Sequence, residues 1–199
     1  MRNSKSMLLA VALLAPMAAA WTSPRAALTV LPQSRLWVDG TSSVRAFSCK
    51  ATDFTVDLDA GPGLTAAVIA GQKAVKTVTV TVPTAKLDCG NGTMNEHMRE
   101  AIKASENPAI QFKLTSYDFT TKGADSVSGT LNGSLTLGGA TRTVQIPIIA
   151  RDKGDGTLDV TGSYSLSLKS FDLKAPSLFF GRMKVGDVVK VNFDMLVRS

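Results

Sequence analysis

The sequence predicts an all-β fold, an eight-stranded antiparallel barrel that carries one capping α-helix at about residues 94–105. One observation behind it is that apolar and polar residues alternate in about eight segments beyond residue 34, as in strands that bury one face. Another is that short turns join most of these segments, which favours antiparallel neighbours. An up-and-down barrel removes the exposed edges of such a sheet, and a β-sandwich is the alternative.

The first half of the chain supplies three of these segments. Residues 34–40 form a short strand, and residues 44–58 form a longer one whose apolar parity changes partway, which predicts a bulge or bend near residues 52–53. Residues 64–70 fit either a strand or a short helix. Within residues 74–87, valines alternate with threonines, which is a strong signal for a half-buried strand.

One amphipathic segment interrupts the strands. Thr93 and Glu96 have the spacing of a capping box, which satisfies free N–H groups in the first turn of a helix, and Pro108 predicts where the helix stops. Its apolar side has helical spacing and comprises Met94, Met98, Ala101 and Ile102. Such a face must pack against apolar surface, so we expect the helix to close one end of the barrel, with His97 at the rim.

The second half of the chain continues the alternation. Apolar residues or glycines recur at every second position in segments that cover residues 110–114, 127–137, 142–151, 158–168 and 189–197. The dipeptide Gly138-Gly139 predicts a two-residue hairpin turn. Gly129, Gly133 and Gly162 occupy apolar positions of their strands, which fits barrel corners or a lined cavity, with simple bends as the alternative.

The N-terminal segment has the pattern of a secretory signal peptide. Basic residues precede an apolar run at residues 7–15, and three consecutive alanines then offer a cleavage site. The run is too short for a transmembrane helix, so we expect no stable membrane span after cleavage, with an uncleaved anchor as the alternative. We divide the chain into a signal peptide (1–20), a lead-in segment (21–33) and a barrel domain (34–199), and expect a periplasmic or secreted protein.

The chain has two cysteines, Cys49 and Cys89. An even number of cysteines in an exported protein predicts a structural disulfide. A redox pair or a metal site is the alternative, but the two residues lack the C-x-x-C spacing and have no group of histidine or aspartate ligands close to them in the sequence.

Charge and motifs exclude several functions. The formal net charge of +6 comes from cations scattered singly, with no Lys/Arg-rich stretch, so nucleic acid is not an expected partner. His97 is the sole histidine, and its neighbours Glu96 and Glu100 belong to the polar side of the predicted helix. No signature of a serine hydrolase, zinc protease, P-loop or dinucleotide site occurs in the sequence. We therefore predict no catalytic residue, no metal site and no cofactor.

Three stretches resemble the YceI family of bacterial exported proteins: MNEHM…NPAIQFKLTSY, GTLNGSLTLGGATRTVQIPI and MKVGDVVKVNFDMLV. LWVDGTSSVRAFSC is similar to the opening strands of that family, so the resemblance covers residues 34–197. It implies an extended lipocalin-like barrel with a helix near one end, long isoprenoid or fatty amphiphiles in an apolar tunnel, and no generally assigned catalytic residues. Two features depart from the family: its R-D-x-H-[LM] pattern becomes MNEHM here, and the two cysteines are not general.

A long-chain lipid or isoprenoid is thus the expected ligand of the barrel interior. Inward strand positions, the helix face and one phenylalanine of a long connection provide the candidate ligand-binding residues: Val78, Val80, Met94, His97, Met98, Phe112, Leu114, Leu131, Leu135, Val144, Ile146, Leu166, Phe179 and Phe193. The same side chains could equally fill an ordinary core. Two hypotheses therefore stand, an exported non-enzymatic lipid carrier and an exported structural or protein-interaction barrel without a ligand. A homodimer is left open.

Overall fold

The structure, a computed structural model, describes residues 28–178 and 183–198. The strands are β1 (Thr29–Val30), β2 (Arg35–Thr41), β3 (Ala46–Ala51), β4 (Thr55–Ala60), β5 (Val75–Pro83), β6 (Leu87–Asp88), β7 (Ala109–Lys122), β8 (Ser126–Leu137), β9 (Ala140–Asp152), β10 (Thr157–Ser167), β11 (Ser177–Leu178), β12 (Met183–Lys184) and β13 (Val188–Arg198). The helices are α1 (Leu64–Ile69) and α2 (Gly92–Ala101), and 3₁₀ turns cover Thr84–Lys86 and Leu168–Phe171. The predicted signal peptide and the start of the predicted lead-in lie outside the described residues.

One curled antiparallel sheet contains all the long strands. Its order is β4-β5-β7-β8-β9-β10-β13-β2-β3-β6, and β1 pairs with β13. β3 and β4 stand near opposite ends of this order, although only residues 52–54 separate them in the chain. The chain itself therefore joins the two ends of the sheet. This curled sheet confirms the predicted barrel. The predicted bend is also confirmed, because the segment predicted as one strand divides into β3 and β4 at residues 52–54.

The alternation of residue types explains the two faces of this sheet. In β5, Val78 and Val80 border the interior of the barrel. Thr79 and Thr81, which alternate with these valines, point outward, where Thr81 Oγ1 accepts a hydrogen bond from Gln111 Nε2 of β7 at 3.4 Å. Because side chains alternate between faces at every residue, one register places Val78, Val80 and Val82 inside and Thr79 and Thr81 outside.

Two apolar cores close the two ends of the barrel. At one end, Leu64 and Val68 of α1 are 2% and 4% exposed and pack with strand residues of the cluster Ala60, Val127, Ala150, Leu158 and Val197. At the other end, Phe171 is 1% exposed and belongs to the cluster Val82, Leu87, Ile102, Leu137, Val144, Leu166, Leu168 and Leu173. The middle of the barrel lies between these clusters.

Two elements extend the predicted fold. The segment 64–70, which the sequence left open between strand and helix, forms α1, and Thr65 Oγ1 donates a hydrogen bond to Gly156 O at 3.0 Å. The strands also begin earlier than predicted, because β1 falls inside the expected lead-in and Val30 packs against the α1 core. Both elements are too short to show a periodic pattern in the sequence.

The bounds of α2 differ from the predicted 94–105. Asn91, not Thr93, caps the helix, since its side-chain Oδ1 accepts a hydrogen bond from Met94 N at 3.1 Å. The helix ends at Ala101, before Pro108, because Lys103 adopts a left-handed conformation with φ of 53°. The capping-box pattern therefore located the helix correctly but placed its start two residues late.

Candidate ligand-binding cavity

The barrel interior contains a cavity of about 430 Å³ between the two apolar cores. Small-molecule sites typically measure about 300–1,000 Å³. Its walls are formed by inward side chains of the long strands, by α1 at one end and by α2 on one side. Almost all of these side chains are aliphatic or aromatic, so the cavity offers a ligand a largely apolar surface.

Most of the candidate residues from the sequence border this cavity. They are Val78, Val80, Met94, His97, Met98, Phe112, Leu114, Leu131, Leu135, Ile146, Leu166 and Phe193. Val144 does not border it. This side chain is 2% exposed and lies within the apolar core that also contains Leu137 and Phe171. Phe179 lies outside the described residues. Whether the bordering residues bind a ligand stays a prediction.

Phenylalanine rings of the cavity wall lie over glycines of the neighbouring strands. A Cβ atom on Gly162 would lie 2.5 Å from Phe193 Cζ, and one on Gly133 would lie 2.5 Å from Phe112 Cε2. Gly40 faces the ring of Phe47 in the same way. Real Cβ atoms never approach so closely, so only glycine lets these rings lie flat on the sheet. Close approach of a ring therefore explains Gly133 and Gly162, and neither is among the described residues that border the cavity.

Helix α2 covers one side of the cavity without being buried itself. Met94, His97, Met98 and Ala101 border the cavity, yet every residue of α2 keeps some exposure to solvent. Ile102, directly after the helix, is 8% exposed and belongs to the core. The helix is thus anchored to the core by Ile102 at its C-terminal end, while the helix itself remains partly exposed to solvent along its length. Methionine side chains repack easily, which suits a lid over ligands of variable shape.

A disulfide fixes the other end of α2. Cys49 of β3 and Cys89, just before the helix, are joined by an S–S bond of 2.01 Å, which confirms the predicted pairing. Asn95 Oδ1 also accepts from Cys89 N at 2.7 Å, and Asn95 Nδ2 donates to Asp88 Oδ1 at 3.0 Å. This donation and that of the Gly90 N–H lower the pKa of Asp88. The disulfide and these hydrogen bonds therefore attach the N-terminal end of α2 to the barrel wall.

Polar side chains are few in the cavity wall: among the described residues they are Ser42, Arg45, His97, Tyr117 and Tyr164. Ser42 Oγ is used within its own turn, where it donates to Arg45 O at 2.9 Å. The Tyr117 hydroxyl accepts a hydrogen bond from Val75 N at 2.9 Å. The Arg45 guanidinium and the Tyr164 hydroxyl have no hydrogen-bond partner among the described residues, so both are available to a ligand.

Among the described residues, one carboxylate lies close to His97, that of Glu100, which the sequence assigns to the polar side of the helix. His97 Nδ1 lies 3.5 Å from Glu100 Oε2, because side chains three residues apart on a helix lie on adjacent surface. The Glu100 side chain is 78% exposed and the His97 side chain is 33% exposed. The pair therefore sits at the rim of the cavity, in contact with water.

The carboxyl group of Asp159, on the outer face of the barrel, lies in surroundings that disfavour its ionised form. Asp159 lies on β10 between Leu158 and Val160, both of which border the cavity, so its side chain points outward. Asp159 Oδ1 is a buried oxygen without a hydrogen-bond partner in the described part of the chain. Burial and the nearby negative charge of Asp194 raise the pKa of Asp159. The folded protein thus favours the protonated form of this group.

Within residues 28–178 and 183–198, no three histidine, cysteine or acidic side chains are grouped as they would be to hold a metal ion. None of the helices in this part of the chain has both the length and the apolar character needed to cross a membrane.

The fold and the cavity together define a class of protein, the lipocalin-like antiparallel barrels with an apolar interior. Within that class, residues 37–197 match the YceI-like domain, which is most of the chain. The protein is a member of the YceI family. Comparison with curated proteins gave no match.

Solved structures share this fold at low sequence identity. BcnA from Burkholderia cenocepacia superposes with a TM-score of 0.64 at 18% identity, over 83% of this chain and 96% of that one. A polyisoprenoid-binding domain from Saccharophagus degradans, implicated in plant cell wall breakdown, gives 0.59 at 9% identity over 86% and 98%. The YceI protein of Campylobacter jejuni gives 0.56 at 15% identity over 74% and 82%. At these identities the likeness establishes the fold.

Proposed function

We propose that this protein is an exported, non-enzymatic carrier that holds a long-chain isoprenoid or another amphiphilic lipid inside its barrel. The observation that carries the proposal is the apolar cavity of about 430 Å³ between the two packed ends. Transfer of an acyl or prenyl chain from water into such a space gains about 0.8 kcal/mol for each buried CH₂ group. The polyisoprenoid-binding neighbour from Saccharophagus degradans supports the same class of ligand.

The ligand's chain would lie against the bordering strand residues, and α2 would act as its lid. The predicted residues Val80, Phe112, Leu131 and Phe193 belong to the cavity wall and would contact the chain. Met94 and Met98 would contact it from the helix, where their flexible side chains adapt to different ligands. His97 would stay at the rim and meet the polar end of the molecule.

Two features support export. Residues 1–20 have the sequence of a signal peptide, and removal of this segment would leave the barrel domain with its short lead-in. The Cys49–Cys89 disulfide persists most readily in an oxidising compartment, which in bacteria is the periplasm or the exterior. We therefore place the mature protein in the periplasm or outside the cell.

A binding role without catalysis fits the groups at the cavity. A general base needs an oriented partner and a place for the reacting atom beside it. Glu100, the carboxylate beside His97, is largely exposed, and this pair lies at the edge of an otherwise apolar wall. The arrangement suits recognition of a head group better than proton transfer.

Native mass spectrometry of the mature protein, purified from its own compartment, tests the proposal. A bound mass of several hundred daltons that organic extraction removes would support a lipid carrier and identify the ligand. A bare protein mass, with no uptake of added long-chain lipids or quinones, would reject it and favour a structural or interaction module. The same spectrum would show whether Cys49 and Cys89 have lost two protons.

A further inference from the structure

The turn between β2 and β3 places one arginine at the edge of the cavity. Ser42 N donates to Arg45 O at 2.9 Å, and Arg45 N donates to Ser42 Oγ at 3.1 Å, so the backbone of the turn is fixed. The Arg45 side chain borders the cavity, two residues before Phe47 on the same face. Because the Arg45 side chain is exposed and also borders the cavity, the cavity reaches solvent beside this turn, and we call this opening the mouth.

Arg45 lacks the carboxylate partner that Arg35, Arg142 and Arg198 have. Arg142 lies 2.7 Å from Asp172, and Arg198 lies 2.7 Å from Asp155. Arg45 makes no ion pair and no side-chain hydrogen bond with any described residue. An exposed guanidinium at the mouth of an apolar cavity is thus free to receive an acidic group.

The surroundings of Arg45 do not supply a competing acid. No aspartate or glutamate is among the described residues that border the cavity. The neighbouring segment is also basic, since Lys184 pairs through its backbone with Ser43, and Val185 beside it borders the cavity. Two carboxylates close to the cavity have other partners: Asp187, two residues after Val185, accepts from Ser167 Oγ at 2.6 Å and from Lys169 N at 3.2 Å, and Glu100 lies beside His97. Arg45 is therefore the charged side chain that borders the cavity at this turn, with no carboxylate among the described residues of the cavity wall.

From these contacts we infer that the cavity selects amphiphiles with an acidic head group, a carboxylate or a phosphate ester, and that Arg45 binds this group. The inference rests on the proposed lipid-binding function and names the class of ligand. A guanidinium pairs with a carboxylate or phosphate through two parallel hydrogen bonds. Because Arg45 is exposed, neither charge has to leave water completely, so the pair avoids the cost of a buried ion pair. His97 and Tyr164 offer further hydrogen bonds.

Binding of chain-matched ligands to the delipidated, disulfide-intact protein tests the inference. One pair is hexadecanoic acid and hexadecanol, and the other is farnesyl phosphate and farnesol. We expect each acid to bind about five- to thirtyfold more tightly than its alcohol, as for a partly exposed charge-assisted contact. The two pairs show which acidic group is preferred. The preference should shrink at high salt, because mobile ions screen exposed charges.

The variant Arg45→Gln should lose the preference for the acid while its affinity for the alcohol stays the same. Arg45→Lys should keep part of it, since the charge remains but the bidentate geometry is lost. Lys113→Gln is the matched control, because Lys113 is an exposed cation that does not border the cavity. Equal affinities for acid and alcohol in the wild type, or a preference that survives in Arg45→Gln, would overturn the inference and leave the carrier function standing. If neither member of either pair binds, the carrier function fails, and the inference fails with it.

Discussion

Replacement of Gly40 by alanine should push the Phe47 ring of the cavity wall into the cavity and reduce its volume. Gly40 lies in β2 opposite Phe47 of β3. An added Cβ atom would come within 2.9 Å of three atoms of the Phe47 ring, and these are its nearest neighbours. Alanine suits the local backbone, because φ at this position is outside the left-handed region. The substitution therefore leaves the strand intact and displaces the ring.

The ring can move only toward the cavity, because the sheet lies behind it. Overpacking of this kind typically costs about 1–3 kcal/mol. For a protein of this size, each kcal/mol lowers the melting temperature by about 2–4 °C. A displaced ring also takes space from a cavity of about 430 Å³, so the longest ligand chains should lose affinity first.

Thermal unfolding and binding of a series of fatty acids of increasing chain length measure both effects. Gly40→Ala combined with Phe47→Leu should recover the stability and the chain-length profile, because the smaller side chain clears the new methyl group. Gly61→Ala is the matched control, since Gly61 lies outside the helices and strands and an added Cβ atom there meets only Ala74 O, at 3.8 Å. If Gly40→Ala alone leaves both the melting temperature and the chain-length profile unchanged, the reasoning about the wall is refuted.

Loss of the disulfide through Cys89→Ser should lower the free energy of unfolding by about 4 kcal/mol for the 40-residue separation of Cys49 and Cys89, measured by urea unfolding; an unchanged midpoint would contradict this. Met98→Asp should lower thermal stability or speed lipid release, and a variant that changes neither would reject α2 as a lid. Asp159→Asn should raise stability at neutral pH by about 0.5 kcal/mol, because the fold disfavours the ionised carboxyl beside Asp194. The gain should vanish as the pH falls through the raised pKa and the wild-type carboxyl becomes protonated, which pH-dependent melting curves would show; a gain that persists in acid would count against it.

The fold was accessible from the sequence where patterns were long. Val78 and Val80 belong to an unbroken alternation, and their inward position is as predicted. The bend between β3 and β4 was visible as a change of parity. The short elements β1 and α1 were not, because two or six residues cannot establish a period and tertiary packing decides their conformation.

The residues of the site were predictable only in part, because a sequence pattern shows the direction of a side chain but not its surroundings. Alternation identifies which side chains point inward, but it cannot tell cavity from core, so Val144 was grouped with the residues that border the cavity. Tyr164 shared the inward parity and could have been recognised. Arg45 shared the parity of Phe47 in the predicted strand 44–58, but a charged residue at the end of a strand usually faces solvent, and the pairing of Ser42 with Val185 is needed to show that this turn lies at the mouth.

The place of β13 between β10 and β2 determines when this chain can fold. Arg35 of β2 and Asp194 of β13 form an ion pair across 159 residues of sequence. Until the ribosome has synthesised β13, both of its neighbours have an open edge, and the barrel cannot close. Pairing over such a separation is slow, because the entropy of loop closure is lost before the contacts form. The barrel therefore closes only after β13 has been made, which suits the proposed export of the protein as an unfolded precursor.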